Sequence, residues 1–560
     1  MSKNKKKPSN KKQFISVFTQ KIMAIFKNKY FLFSLLTFLC FIAPSTLYSI
    51  FYKNYNFRLD IMFYVLALPL AISLAFARKG LSVTVLGIFC ILELIQFGHI
   101  FYFGTPITPF ELELIWKEKG EIMESSLDTF PECFIFIFCV SIPYIALIWA
   151  YIKKRQKKGF ITASVFVLLA FAVLGKRALV EGSKINSFMP RNDMVSLHNT
   201  INSFAGLLNR LRFRNSNGIF SKYKPYQVEK SKNVVPDDIN IVMIIGESDN
   251  PNRMSLFGHN RKTTPNLDKM VETDKNFVYK RALSSGVLTA VSTMMLLNVQ
   301  REPDNMMHTV KQPTHLFKLA KQNGFTTAYI SAQDSMIARG MAPDYVDIWH
   351  TREYAPLLQS KLDDLVTLEI LKQNEAKLGK KNFIILHQRN IHSPYNKRTE
   401  NFPQFNKWQS SIYASREEKL KDAYDNAMLV VDDYVSQVIN YFKKSKKPTY
   451  FFWVPDHSEM LGERGKFGHC KLEIEVAQIP FVATVLNKND DAFVKKLKQS
   501  FMPTHYEIGK TIAGLLGWNI INPNEEDGIF YVNGNIINGD AGWMKIDKRN
   551  NKLNYQKKVN

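Results

Sequence analysis

The segment Ile239-Asn-Ile-Val-Met-Ile-Ile-Gly246-Glu247-Ser248 decides the fold class. Its first seven residues are almost continuously apolar and rich in Ile and Val. A parallel strand buried on both faces has this pattern. Thr326-Thr-Ala-Tyr-Ile-Ser, Asn382-Phe-Ile-Ile-Leu-His and Thr449-Tyr-Phe-Phe-Trp-Val are similar, and helical patterns such as 415–442 separate them. The alternation predicts an α/β domain with a mostly parallel central sheet. Ligands of such sheets bind beyond the carboxyl ends of the strands. Glu247, His387, His392, Asp456 and His457 all fall within a few residues of such an end. One shared site is therefore expected.

Four short stretches supply its chemistry. They are Ile-Ile-Gly-Glu-Ser with Glu247, Gly-Val-Leu-Thr-Ala with Thr289, Ile-His-Ser-Pro-Tyr with His392, and Pro-Asp-His-Ser-Glu with Asp456, His457 and Glu459, followed by Gly-His with His469. Glu, Asp and His together are ligands for a divalent metal, usually zinc when His is present. A Thr among them is a candidate nucleophile, because metal coordination lowers the pKa of a hydroxyl. His392 and His469 are of the residue type suited to proton transfer, since an ordinary histidine has a pKa in the neutral range. His387 reads as a core histidine, and His259, His308, His315, His350 and His505 as structural.

The first half of the chain reads as membrane. Apolar runs at about 30–52, 61–77, 81–103, 131–152 and 159–176 approach the roughly 20 residues of a spanning helix. The net charge of +25 is concentrated there: residues 1–235 hold 31 Lys and Arg against 12 Asp and Glu. This is the basic excess of cytoplasmic loops, so nucleic acid is excluded as a partner. Nine Lys in residues 1–29, Arg78-Lys79 and the run Lys153–Lys158 mark the inner side. Five spans with the N-terminus inside put the second half outside, with a basic N-terminus (1–29), a membrane domain (30–176), a juxtamembrane helix and linker (177–237) and a catalytic domain (238–560). The stretch from Ser196 reads as an amphipathic surface helix and Asn215–Pro236 as linker. Pro106, Pro109 and the Glu-rich stretch after them read as an outside loop leading into a short helix. Glu93, Gln96 and His99 share one face of the third run, which points to interhelical hydrogen bonding or to lipid-headgroup binding. Only Cys470 of the five cysteines lies in the soluble half, so that half forms no internal disulfide.

Ile-Gly-Glu-Ser, Arg-Met-Ser-Leu-Phe-Gly and Thr-Thr-Pro-Asn-Leu-Asp together resemble the phosphoethanolamine transferases that decorate Gram-negative lipopolysaccharide, members of the alkaline phosphatase/sulfatase superfamily. The resemblance implies an inner-membrane protein with five helices and a periplasmic sulfatase-like domain. It implies Glu247, Thr289, Asp456 and His457 as zinc ligands, with a second zinc as an open alternative. Thr289 is then the nucleophile, and His392, Glu459 and His469 handle substrate. Phosphatidylethanolamine is the implied donor. The acceptor is lipopolysaccharide, at lipid A, Kdo or a core sugar, or another periplasmic glycan. The chain departs from the family at three places. Ser285 and Met295 flank the nucleophile where many lipid A-modifying members have cysteines, which leans toward a core-sugar acceptor. Ser458 replaces a glycine, and no phosphate-binding Lys is evident, leaving Gln333 or Arg339 for that place. Two alternatives stay open: a glycerol phosphate transferase of the lipoteichoic acid synthase type, and a catalytically dead membrane scaffold.

Overall fold

The computed structural model describes residues 28–52, 55, 57–59, 61–117, 119–153, 160–180, 188–191, 193–213, 223–232, 235–333, 341–352, 355, 358, 364–537, 539 and 541–558. The chain forms two compact units, Met1–Asn215 and Ser216–Asn560. The basic run at 1–27, Lys154–Lys158 and Arg339 lie outside the described residues.

The first unit is helical: α1 (Lys29–Phe51), α2 (Ile61–Phe76), α3 (Lys79–Phe103), α4 (Pro109–Lys117), α5 (Lys119–Lys153), α6 (Ile161–Lys176) and α7 (Ser196–Phe213). Asn28 caps α1 by accepting from the Tyr30 N–H. Gly104, at φ 72°, ends α3 in the left-handed conformation that glycine tolerates. Among the described residues three helices are long and apolar enough to cross a membrane: α1, α3 and the Phe130–Lys153 part of α5. The runs expected as spans two and five form α2 and α6, each of 16 residues. At 1.5 Å per residue each covers about 24 Å of a hydrocarbon core about 30 Å thick. Five helices thus stand where five runs were read, and three of them have spanning length.

The polar face of α3 is buried. Ser196 Oγ donates to Glu93 Oε2 at 2.6 Å, and Gln96 Oε1 accepts from the Ile107 N–H at 3.4 Å. His99 pairs through Nδ1 with the Thr105 carbonyl at 2.7 Å, and its Nε2 lies 3.4 Å from Glu111 Oε2 on α4. The Glu93–Ser196 and His99–Glu111 contacts join two helices, and the other two end on the loop that follows α3, as polar groups in an apolar surrounding require partners. The expectation for α7 is corrected. Ser196, Asn199, Thr200 and Ser203 are fully buried, not on a surface. Small hydroxyls pack closely and satisfy buried groups: the Ser196 N–H reaches Ser45 Oγ at 2.8 Å, and Ser203 Oγ reaches the Ile107 carbonyl at 2.7 Å.

The second unit is built on a central sheet that has seven strands among the described residues: β1 (Ile239–Gly246), β2 (Val278–Leu283), β3 (Thr326–Ser331), β4 (Ile348–His350), β5 (Lys381–His387), β6 (Thr449–Pro455) and β7 (Gln478–Leu486). Their spatial order is β2-β7-β6-β1-β5-β3-β4. The sheet is mixed: it is parallel as expected except at β7. β7 is antiparallel to both β6 and β2, so it runs against the other six. Apolar runs buried on two faces do not encode direction. Along β1, Ile239, Ile241, Met243 and Ile245 pack into one core, and Val242 and Ile244 into the other. Period-two alternation between two buried layers is why the run reads as continuously apolar. The helix Arg416–Lys444 covers the second layer, and the helices Leu316–Gln322 and His505–Leu515 cover the first. A Ser415–Glu418 capping box fixes where the long helix starts. The stretch read as linker contains the strand Gln227–Lys230, which pairs with Trp518–Ile521 and so belongs to this unit.

Register sets the level of the strand ends. Gly246 pairs with Pro455 and Ile245 with His387. The residues that follow β1, β5 and β6 therefore leave the sheet side by side.

Replacing Ser196 with Ala removes the buried donor to Glu93. The expected cost is about 1 kcal/mol, read as a lower Tm of the full chain in detergent.

Candidate metal centre

Glu247 and the pair Asp456-His457 are the first residues beyond the adjacent ends of β1 and β6. Gly246 makes this possible: a Cβ there would meet Asp249 Oδ2, with Trp453 Nε1 at 2.8 Å and Pro455 Cγ at 2.9 Å. Only glycine lets the two strand ends converge this closely. The metal-binding atoms of Glu247, Asp456 and His457 lie within 4.8 Å of one another, and all three residues are buried. Thr289 opens the helix Thr289–Leu297 and joins them. Its Oγ1 is 3.2 Å from His457 Nε2 and 3.5 Å from Glu247 Oε2. The position at a helix N-terminus favours negative charge on the hydroxyl and on whatever it reacts with.

The surrounding hydrogen bonds orient these groups. Ser248 Oγ donates to Glu247 Oε1 at 2.7 Å, and Gln333 Nε2 donates to Glu247 Oε2 at 2.6 Å. Asp456 Oδ1 accepts from the N–H groups of Ser248 and His457, at 3.0 and 2.7 Å. Its Oδ2 is buried without a hydrogen-bond partner among the described residues and faces His457 Nε2 at 3.2 Å. Nδ1 of His457 is 3.1 Å from the Ser458 carbonyl. A proton on Nδ1 leaves the Nε2 lone pair directed at the cluster. Burial, then the charge of Glu247, pushes the Asp456 carboxyl well above its usual range. Burial, then His469, pulls His457 well below its own. Two carboxylates, an imidazole and a hydroxyl with an orphaned buried oxygen among them fit a divalent ion such as zinc.

The other histidines approach from separate loops. The His469 ring lies 4.3 Å from that of His457 and 5.8 Å from that of His392, centre to centre. Nδ1 of His469 pairs with Glu459 Oε2 at 2.8 Å. Burial disfavours a charged His469, but Cys470 and Glu459 outweigh it and raise its pKa well above the usual value. His392 Nδ1 is 2.7 Å from the Ser393 carbonyl. Glu473 clamps the His469 loop from behind, holding Lys466 and Lys557 at 2.6 Å and Arg464 at 3.0 Å. The structure thus brings Glu247, Thr289, His392, Asp456, His457, Glu459 and His469 together. His387 stays in the core, with Nδ1 2.9 Å from Tyr329 OH. Gln333 is in the site but donates to Glu247.

Two participants, Tyr424 and Asp249, escaped the sequence reading, and a third, His505, was read only as structural. Nδ1 of His505 accepts the Ser285 N–H at 3.1 Å, and its Nε2 is 2.8 Å from the Pro455 carbonyl. It braces the Thr289 loop against the strand that delivers Asp456. Tyr424 OH donates to the Ser248 carbonyl and accepts from the Asn250 N–H, both at 2.7 Å. Asp249 is buried with neither carboxylate oxygen hydrogen-bonded among the described residues, and burial followed by Asp456 and Glu247 pushes its pKa well up. Asp249 lies two residues from Glu247, so the acidic Glu-Ser-Asp spacing was visible. Nothing near His505 in the chain marks it.

Residues 239–517 match the sulfatase family model. The chain is 27% identical over 365 residues to the Kdo(2)-lipid A phosphoethanolamine 7''-transferase of Escherichia coli K12, covering 60% of this chain and 61% of that protein. It is 29% identical over 229 residues to phosphoethanolamine transferase EptC of the same organism, 39% of each chain. The matches thus span less than two thirds of these relatives. The integral membrane lipooligosaccharide phosphoethanolamine transferase A of Neisseria meningitidis has the same fold, with a TM-score of 0.61 at 18% identity over 87% of this chain and 95% of that one.

Burial holds the pKa of His505 at about 4 and that of His387 at about 3. Their contribution to stability is complete above the unfolded value near 6.5 and falls as pH drops toward these numbers. Thermal melts are expected to show Tm declining from pH 6.5 to 4. His505→Gln should flatten that slope and lower Tm at pH 7.

Proposed function

Because residues 239–517 form a domain of the sulfatase family, we propose that the chain transfers phosphoethanolamine from phosphatidylethanolamine to lipopolysaccharide, through a covalent intermediate on Thr289. The observation that carries this reading is Thr289 Oγ1, 3.2 Å from His457 Nε2 at a helix N-terminus, beside the unpartnered Asp456 Oδ2. The names of the relatives support it. Glu247, Thr289, Asp456 and His457 hold a zinc ion in this reading. When bound, zinc keeps the Thr289 hydroxyl deprotonated and offsets charge on the phosphoryl oxygens.

Two displacements at phosphorus follow. Thr289 Oγ1 forms a bond to phosphorus as the bond to the diacylglycerol oxygen breaks. That oxygen takes a proton from His469, which Glu459 keeps protonated. His392 faces the transferred group. In the second half-reaction an acceptor hydroxyl gives its proton to His469 and attacks phosphorus, and Thr289 leaves as the alkoxide it began as. The N–H groups at the start of the Thr289 helix stabilise the charge in both steps. The histidine works in both directions, which suits a group that starts protonated and ends protonated. Lysine-rich segments on the inner side support a periplasmic catalytic unit, where donor and acceptor are both lipids of the exposed face.

Mass spectrometry of the Thr289 peptide from protein purified with its lipids tests the reading. A phosphoethanolamine adduct is expected, absent from Thr289→Ala, whose turnover should fall about a thousandfold. A glycerol phosphate adduct would instead identify the lipoteichoic acid synthase type of reaction. Chelation of the metal should abolish adduct formation, and added zinc should restore it. Zinc-independent turnover would overturn the metal assignment.

A further inference from the structure

A groove of about 450 Å³ opens beside the long helix, lined by Arg253, Asn260, Arg261, Ser411, Tyr413 and Asp422 among others. Its connection to the metal centre is short. Arg253 follows Glu247 by six residues, and Asp425, which holds Arg253, is the neighbour of Tyr424 on the Ser248 carbonyl. Arg253 forks onto Asp425 at 2.8 and 2.6 Å. Arg261 reaches Asp422 at 2.6 Å and Asp425 at 2.9 Å, with its guanidinium 5.3 Å from the centre of the Trp408 ring. Tyr413 borders the groove 91% exposed, next to Ile412 at 79%. An aromatic ring so exposed has no folding role; a ligand face would give it one.

We propose that this groove is a sugar-binding subsite and receives an uncharged ring of the acceptor. Charge balance selects the ligand class. Arg253 and Arg261 are held by Asp422 of the lining and by the buried Asp425 behind it, Lys421 is held by Glu417, and Glu418 accepts from the Ser415 N–H and Oγ, so neither sign is left over for a phosphate or an amine. Burial, then Arg253, lowers the pKa of His259 and keeps it neutral as well. Guanidinium–carboxylate forks fixed in place offer donors and acceptors at set positions, as the hydroxyls of a pyranose require. Tyr413 supplies a flat apolar face for the C–H side of the ring. The volume admits a sugar and its linkage. The proposal rests on the transferase reading only in calling this sugar an acceptor.

The test uses full-length Thr289→Ala protein in nanodiscs, titrated calorimetrically with delipidated, dephosphorylated core oligosaccharide. Saturable binding is expected, weakened tenfold or more by Tyr413→Ala and by Asn260→Ala, two exposed positions whose loss leaves the fold intact. Inorganic phosphate should not compete. Absence of binding, equal binding by the variants, or competition by phosphate overturns the proposal. Diacylglycerol release from phosphatidylethanolamine is measured in parallel on protein that retains Thr289. No release would refute the transferase reading while leaving the binding result intact.

Discussion

Two carboxylates held out of water set the terms for the soluble unit. Glu247 and Asp456 have ligand atoms within 4.8 Å and are almost wholly buried. Like charges at that distance repel by roughly 3 kcal/mol at an effective dielectric constant near 20, before any cost of burial. Hydrogen bonds from Ser248, Gln333 and two backbone N–H groups answer part of this. The zinc ion proposed above answers the rest. A rigid sheet is needed because the arrangement is unfavourable without its partners. Strand register fixes the two carboxylates where side-chain freedom alone would let them separate.

Much of this was legible in the sequence, for a physical reason. Strands buried on both faces must be apolar throughout, so β1, β3, β5 and β6 announced themselves, and with them the sheet edge where Glu247 and Asp456 emerge. The direction of β7 was not legible, because an apolar run reads alike either way. The helix α7 was misjudged because Ser, Thr and Asn resemble a solvated face when they are in fact satisfying buried partners. Thr289 was read as a candidate nucleophile because it accompanies metal-ligating residue types, and the resemblance then implied the role; the composition of Gly-Val-Leu-Thr-Ala by itself does not mark one. His505 was read only as structural, which fits its bracing contacts, but those contacts were not legible, since they are created by a fold that brings it to Ser285 and Pro455.

The membrane half follows the same rule in a different solvent. Glu93, Gln96 and His99 are tolerated inside α3 because Ser196, the Ile107 N–H and the Thr105 carbonyl meet them. The contacts of Glu93 and Gln96 join α3 to other segments, so these bonds specify which elements pair. Apolar side chains, equally content against lipid or against each other, supply little such discrimination.

The helix Arg416–Lys444 touches the metal loop through Tyr424 and the groove through its neighbours Asp422 and Asp425. One rigid rod therefore acts as a gauge between chemistry and recognition. The groove's outer wall, by contrast, is the exposed loop around Ile412 and Tyr413, which no metal ligand leans on. Selection can exchange that wall without moving Thr289, the proposed nucleophile. Under the proposed function, such a chassis lets the decorated group change while the chemistry stays the same.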